Sequence, residues 1–242
     1  MNLEQTLDKL LIAQRGWSLR LPKDEPIVLM LTGGLDSSLL AEVCLRELHA
    51  QVYPLYIRRG AKAEQYEERA AIDVVAYLKK KYDNMHELYT IDAEIPPSKL
   101  KKQFDETYVK RMGHPMRNVI AELYAVQYAV MLSQTGTKVR TVAIGSINED
   151  VSPDGHPASF LASTVATCVS MDDWSWQITA PYLLDGLLAD TVKIHKEDIV
   201  AWGKRQGFPF HLTRSCISGS VRPCDACSAC LRRNTLHLEE QH

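Results

Sequence analysis

Two groups of residues in this 242-residue chain have the types and spacing of chemistry. The first is Leu31-Thr32-Gly33-Gly34-Leu35-Asp36-Ser37-Ser38. An apolar run, residues 27–31, leads into it, and an amphipathic stretch, residues 39–48, follows it. Buried strand, paired glycines and helix start together present backbone N–H groups to a phosphate. A Cβ would hold such a ligand off the backbone, so glycine suits the turn. Thr32, Ser37 and Ser38 add hydroxyl donors. No lysine follows, so this is not the G-x-x-x-x-G-K-[ST] pattern, nor is it G-x-G-x-x-G. A bare carboxylate would repel phosphate. Asp36 is therefore expected to cap backbone N–H groups or to face a magnesium ion shared with the phosphates.

The second group is Cys216, Cys224, Cys227 and Cys230, spaced C-x7-C-x2-C-x2-C. Four thiolates on short knuckles meet the tetrahedral preference of zinc. An iron–sulfur cluster is the alternative. Zinc is preferred because a closed cage with no substrate role is the commoner use of such knuckles. A closed site has no open position for water, so the expected role is structural, a staple for a segment too short to fold alone. Cys44 and Cys168 stand among apolar residues on expected helices and read as inert core thiols.

The elements that must position these groups follow from periodicity. Strands are expected at 27–31, 52–57 and 86–91, with helices running from the glycine turn to about 49 and over 61–81. That order, β-α-β-α-β, implies parallel strands with right-handed crossovers. Residues 99–112 are charged and weakly helical, as a lid or a dimer contact would be. A turn at 113–118 precedes a strong helix to about 133. A strand at 138–144 ends in Gly145-Ser146-Ile147-Asn148, where glycine lets a ligand approach the carboxyl edge of a sheet. Then come a loop at 149–157, a helix at 158–171, a strand at 177–180, and a stretch from Thr191-Val192 into a helix ending at Gln206 before Gly207. Leucines at 3, 7, 10 and 11 give residues 2–21 helical spacing, read as a cover for a sheet edge. The expected organisation is a helical extension (1–26), a nucleotide-binding α/β domain with a doubly wound, mostly parallel sheet (27–207), and a small metal-binding segment (208–242).

Composition narrows the function. Apolar residues make up 45%, enough for a core, and the formal charge of −2 gives no global case for nucleic-acid or membrane binding. No apolar run approaches the ~20 residues of a membrane span. The first twenty residues lack a leader pattern, so a cytoplasmic protein with reduced thiols is expected. Lys204, Arg205, Arg214, Arg222, Arg232 and Arg233 gather near the cysteines. Without interleaved aromatics they read as a solvated, dimer-forming or phosphate-facing surface ahead of a polynucleotide surface. Lys196, ahead of a helix, could reach departing pyrophosphate as a point charge. Arg117-Asn118, at another helix start, could meet nucleotide or substrate.

The glycine run resembles the S-G-G-x-D-S signature of the PP-loop ATP pyrophosphatases, with Thr32 in the serine's place. From residue 27 to 233 the chain resembles the 7-cyano-7-deazaguanine synthase (QueC-type) family. Pro115-Met116-Arg117-Asn118 is similar to its P-x-R-N motif, and Ile144-Gly145 with Asn148-Glu149-Asp150 to its nucleotide-side strand end and acidic loop. His195-Lys196-Glu197-Asp198-Ile199-Val200 is similar to T-K-x-E-I-V. Residues 209–216 resemble P-F-x-L-T-W-S-C, and the three later cysteines match its zinc motif. The chain departs from the family in three places. The loop S-G-Y-P-D-C-R-P-E-F reads Ser152-Pro153-Asp154-Gly155-His156-Pro157-Ala158-Ser159-Phe160 here. Arg214 replaces the tryptophan, and Tyr56-Ile57-Arg58-Arg59-Gly60 stands for Y-G-Q-R-H.

The resemblance implies a PP-loop fold and an enzyme that uses ATP and Mg2+ to adenylate a 7-deazaguanine carboxylate. Ammonia then gives the amide, and a second ATP gives the nitrile. It implies catalytic roles for Asp36, Lys196 and Arg117. Nucleotide contacts are implied for Leu31, Thr32, Gly33, Gly34, Leu35, Asp36, Ser37, Ser38, Tyr56, Arg117, Asn118 and Gly145. Substrate contacts are implied for Asn148, Asp150, Asp154 and His156, and zinc for Cys216, Cys224, Cys227 and Cys230. A homodimer is implied as well. The altered substrate loop leaves a QueC-like enzyme joining a deazaguanine to a protein amine, in an antiviral gene set, as an alternative. An adenylating enzyme acting on tRNA and a non-catalytic nucleotide-binding regulator are further alternatives.

Overall fold

The structure, a computed structural model, describes residues 2–150, 152–188 and 193–238. Val151 of the expected loop and Thr191-Val192 ahead of the last long helix lie outside the described residues, as do Met1 and residues 239–242. Five strands form one sheet: β1 (Pro26–Met30), β2 (Gln51–Arg58), β3 (Tyr89–Asp92), β4 (Thr141–Ala143) and β5 (Gln177–Thr179). Their spatial order is β3-β2-β1-β4-β5, and each neighbouring pair runs parallel. The chain winds outward from β1 to β3, then returns to β4 and β5 on the other side. That reversal opens a crevice beyond the carboxyl ends of β1 and β4.

The helices are α1 (Leu3–Arg15), α2 (Leu35–Arg46), α3 (Glu64–Lys81), α4 (Ser98–Lys101), α5 (Glu106–Met112), α6 (Arg117–Gln134), α7 (Pro157–Met171), α8 (Lys196–Gln206) and α9 (Ser228–Thr235). Alternation along β1 assigns them to two faces. Ile27, Leu29 and Leu31 join a cluster with Leu40 of α2, Val74 of α3 and Ile199 of α8. Val28 joins Ala125 of α6 and Phe160 of α7 on the other face. Ile27, Val28 and Leu29 are fully buried, each worth about 1.5–3 kcal/mol relative to exposure. A strand covered on both faces reads as the continuous apolar run seen in the sequence. The fold is thus the expected doubly wound parallel α/β sheet, followed by a C-terminal cysteine segment. No helix among the described residues is long and apolar enough to cross a membrane.

Several boundaries differ from expectation for local reasons. α1 stops at Gly16, whose φ of 81° ends it before residue 21. It lies on α7, and the Arg15 guanidinium donates to the Trp174 carbonyl at 3.1 Å and to that of Trp176, beside β5. β3 begins later than residue 86. A bridge joins Val52 to Met85, and the ladder resumes only at Leu55 and Tyr89. Three steps on β2 thus face four on the incoming chain, and the extra residue breaks the pairing. β4 is shorter than 138–144 because the Val139 amide donates to Ser133 Oγ at 3.2 Å instead of to a strand. α9, inside the cysteine segment, was not expected from periodicity.

One buried charge has a measurable consequence. Glu122 on α6 is fully buried, and among the described residues its carboxylate accepts only from Ser163 Oγ of α7, at 2.7 Å, leaving its other oxygen without a hydrogen-bond partner. Burial pushes its pKa up to about 7. Below about pH 4.5 the group is neutral in both the folded and the unfolded chain. As pH rises, the unfolded chain ionises first, so stability falls up to about pH 7. Relative to Glu122→Gln, the protein is expected to lose about 3 kcal/mol of unfolding free energy between pH 4.5 and 8, measured by denaturant titration.

Candidate active site

The turn between β1 and α2 is pinned by its neighbours. Gly33 has φ of 71°, and a Cβ there would stand 2.1 Å from the Glu67 carbonyl oxygen of α3 and 2.8 Å from the Ala71 nitrogen. The Arg214 amide, from the C-terminal segment, donates to the Gly33 carbonyl at 2.8 Å. From the far side, a Cβ on Gly145 would stand 2.9 Å from the Ser37 nitrogen. Gly34 is the N-cap of α2, and among the described residues no side chain caps that end. The N–H groups of a helix's first turn have no intrahelical acceptor, so α2 offers uncapped donors to the crevice. The hydroxyls hold the turn itself: Ser37 Oγ accepts from the Thr32 amide at 3.1 Å and lies 2.9 Å from Thr32 Oγ1.

Above the turn lies a cleft of about 330 Å3. Leu31, Thr32, Gly34, Leu35, Asp36, Tyr56, Arg117, Asn118 and Lys196, all candidates from the sequence, line it. Lys196, the first residue of α8, reaches Asp36 with Nζ 3.0 Å from Oδ2. Asp36 Oδ1 is buried and takes no hydrogen bond among the described residues. Burial raises the Asp36 pKa, and Lys196 offsets part of that rise. Gly33, Ser37, Ser38 and Gly145 do not line the cleft. They support it from below, with Ser38 fully buried in α2.

None of the four residues expected at the substrate lines this cleft. Asp154 accepts from both the amide and Nδ2 of Asn118, at 2.9 and 3.0 Å. It thus caps the start of α6 and fixes Asn118 toward the cleft, while itself lining an adjoining groove of about 600 Å3. Asn148 Nδ2 donates to the Ile194 carbonyl at 3.1 Å, and Asp150 Oδ2 accepts from the Ile147 amide at 3.1 Å. His156 is exposed, with Nε2 2.9 Å from the Asp150 carbonyl oxygen. Asn148, Asp150 and His156 shape the loop without lining the cleft.

Sequence reasoning did not single out Arg59, Glu67, Ser215 and Ala229, which line the cleft together with Arg214. Arg59 stands one residue past the carboxyl end of β2, the edge where ligands sit in such sheets, and that was the available signal. Glu67 and Ala229 carry none, because each reaches the cleft through the packing of its helix.

The cysteine Sγ atoms of 216, 224, 227 and 230 all lie within 4.8 Å of one another. A tetrahedral ion with bonds of about 2.3 Å needs sulfurs about 3.8 Å apart, so this set could hold a metal. The Cys224 and Ser218 amides donate to Cys216 Sγ at 3.3 and 3.4 Å, and the Cys227 amide to Cys224 Sγ at 3.4 Å. Such donors favour thiolates. Several of the nearby basic residues are internal struts rather than a surface patch. Arg233 is buried and donates to Thr213 Oγ1 at 2.8 Å and to the Phe210 carbonyl at 2.7 Å. Arg214, also buried, donates to the Ser220 and Val221 carbonyls at 2.8 and 2.9 Å and lies over the Tyr66 ring. Arg232 pairs with Glu197, and Lys204 donates to the Leu236 carbonyl. Cys44 and Cys168 are buried as expected, and burial pushes the Cys44 thiol up to about 12.

The family model described as queuosine biosynthesis protein QueC matches residues 26–240. The 7-cyano-7-deazaguanine synthase of Archaeoglobus fulgidus is 29% identical over 215 residues, covering 87% of this chain and 85% of that protein. The enzyme of the same name from Aquifex aeolicus is 27% identical over 230 residues, covering 87% and 95%. Among solved structures, a 4-thiouridine synthetase in complex with RNA and bound ATP superposes with a TM-score of 0.48 at 13% identity, over 88% of this chain and 49% of that one. With the family model spanning the sheet, the glycine turn and the cysteine cage alike, the chain belongs to the QueC family of queuosine biosynthesis proteins.

Proposed function

We propose that this chain is an ATP-dependent, AMP-forming ligase that adenylates a 7-deazaguanine carboxylate and converts it with ammonia to the amide and then the nitrile. The observation that carries this reading is the Lys196–Asp36 contact at 3.0 Å, set over an uncapped helix start behind paired glycines. A carboxylate is a poor electrophile. Attack of its oxygen on the α-phosphorus, with departure of pyrophosphate, turns it into an acyl-adenylate. Ammonia then adds at the acyl carbon and AMP leaves. A second activation on the amide oxygen makes AMP the leaving group again, and loss of the amide protons yields the nitrile.

In that scheme the turn's amides and Thr32 hydroxyl hold the phosphates, and Lys196 offsets the charge growing on pyrophosphate. Apolar Met30, Leu55 and Ile57 offer the flat wall a purine ring needs. Asp36 Oδ1, buried and without a hydrogen bond among the described residues, would suit one oxygen ligand of a magnesium ion, which would supply positive charge against that of the phosphates. The cysteine set fits zinc, which would fasten the segment that closes the cleft. A second reading, transfer of the acyl group to a protein amine, draws support from the adjoining groove of about 600 Å3 lined by Asp154.

Incubation with ATP, magnesium, ammonium and 7-carboxy-7-deazaguanine is expected to release AMP and pyrophosphate in an acid-dependent way. ADP formation, or no nucleotide turnover, would overturn the reading. An acyl adduct on a co-purified protein, seen by intact mass, would select the second reading instead. Lys196→Ala is expected to lower kcat by roughly 100- to 1000-fold while leaving the circular dichroism spectrum intact. Stripping the cysteine cage with a chelator is expected to release about one zinc per chain and lower the melting midpoint by about 5–10 °C. An iron-dependent absorbance near the visible edge would point to a cluster instead.

A further inference from the structure

We propose that Arg59 and Arg117 form an anion clamp that takes the carboxylate of the acid substrate. This rests on the reading of the cleft as a site of acid activation. Both residues line the cleft but reach it from different elements. Arg59 follows β2, and Arg117 is the first residue of α6. α6 packs on the face of the sheet opposite to α2 and α8, which carry Asp36 and Lys196. The cleft therefore has separate cations for two anions.

The pairing of the two guanidiniums favours a carboxylate ligand. Arg117 is half-buried, and its Nε donates only to the neutral Asn118 Oδ1, at 3.2 Å. Among the described residues no carboxylate pairs with it. The nearby Asp154 has both oxygens engaged by Asn118. Burial lowers the Arg117 pKa, and the charge of Arg59 lowers it further. Arg59 spends one nitrogen, Nη2, on Glu67, at 3.1 and 3.3 Å from its two oxygens. Asp154 and Asp150 act on Arg117 through space without pairing with it, so its guanidinium fork stays open to the cleft beside Arg59. A buried charge is costly until it is paired, and the guanidinium fork matches a carboxylate edge.

Glu67 also sets the distance. Its side chain anchors Arg59, while its backbone carbonyl is the atom that bars a side chain from Gly33. The clamp and the turn are thus tied to one residue of α3, which holds the acid at a fixed reach from the phosphates. Tyr56, Ile95 and Ala121 line the same cleft and suit a flat ring. The ligand class is a planar heteroaromatic acid with one carboxylate.

The test compares wild type, Arg59→Gln and Arg59→Lys by acid-dependent pyrophosphate exchange into ATP, and by calorimetry with α,β-methylene-ATP, with 7-carboxy-7-deazaguanine and with its carboxamide. Arg59→Gln is expected to raise KM for the acid roughly 10- to 100-fold, to abolish the preference for acid over carboxamide, and to leave nucleotide affinity within about twofold. Arg59→Lys is expected to restore part of the acid affinity. Nucleotide affinity falling together with the exchange would assign the clamp to phosphate and overturn the proposal, as would an unchanged KM. If wild type exchanges no pyrophosphate, the ligase reading fails on its own. The clamp then stands or falls on calorimetry, where wild type binding acid no better than carboxamide overturns it.

Discussion

Everything in the cleft depends on a backbone turn that cannot relax. A helix start without side-chain caps leaves amides that would rather be in water or on a neighbour. Here the turn is clamped open by three contacts that tolerate no Cβ or use no side chain. α3 presses on Gly33, the end of β4 presses through Gly145 on Ser37, and the Arg214 amide holds the Gly33 carbonyl. A preorganised set of donors pays no reorganisation when an anion arrives, which is why such turns bind charge well. The sheet's reversal between β1 and β4 places this turn where two crossovers diverge, so the donors face a crevice and not a packed helix.

The cysteine segment belongs to the same mechanical unit. Arg233 binds Thr213 and the Phe210 carbonyl, and Arg214 binds carbonyls of the loop between the first two cysteines. Both guanidiniums are buried, and each donates through its terminal nitrogens to fixed oxygens. Arg214 and Ser215, just ahead of the first cysteine of the cage, line the cleft, as does Ala229 between the last two cysteines. Order in the cage is therefore order in one wall of the site. The arginine that replaces the family's tryptophan at 214 fits this picture: it fills the space over Tyr66 and adds two directed bonds to the cage loop.

What could be read in advance had a periodic or chemical signature. β1 was legible because both its faces are covered, and the turn because paired glycines and hydroxyls have few other uses. The cage was legible from spacing alone. Lys196 and Asp36 were named separately, and only the packing of α8 beside α2 brings them together. Asp154 was read as a substrate contact, and what the sequence hid is that it also caps α6 and orients Asn118, since a cap that arrives from thirty-six residues away leaves no local pattern. Glu67 was hidden for a similar reason. Its side chain matters through Arg59 and its carbonyl through Gly33, and neither relation shows as periodicity. β3 and β4 were overextended because apolar alternation continues past the point where an extra residue or a serine hydroxyl takes the backbone out of the ladder.

The most direct measurement is a crystal structure with α,β-methylene-ATP and magnesium, an analogue that resists cleavage at the bond in question. The account predicts the phosphates over the amides of residues 34–37, with Lys196 moved from Asp36 onto a β- or γ-phosphate oxygen and the base against Ile57. A triphosphate seated elsewhere, or a turn left unoccupied while Lys196 stays on Asp36, would contradict it.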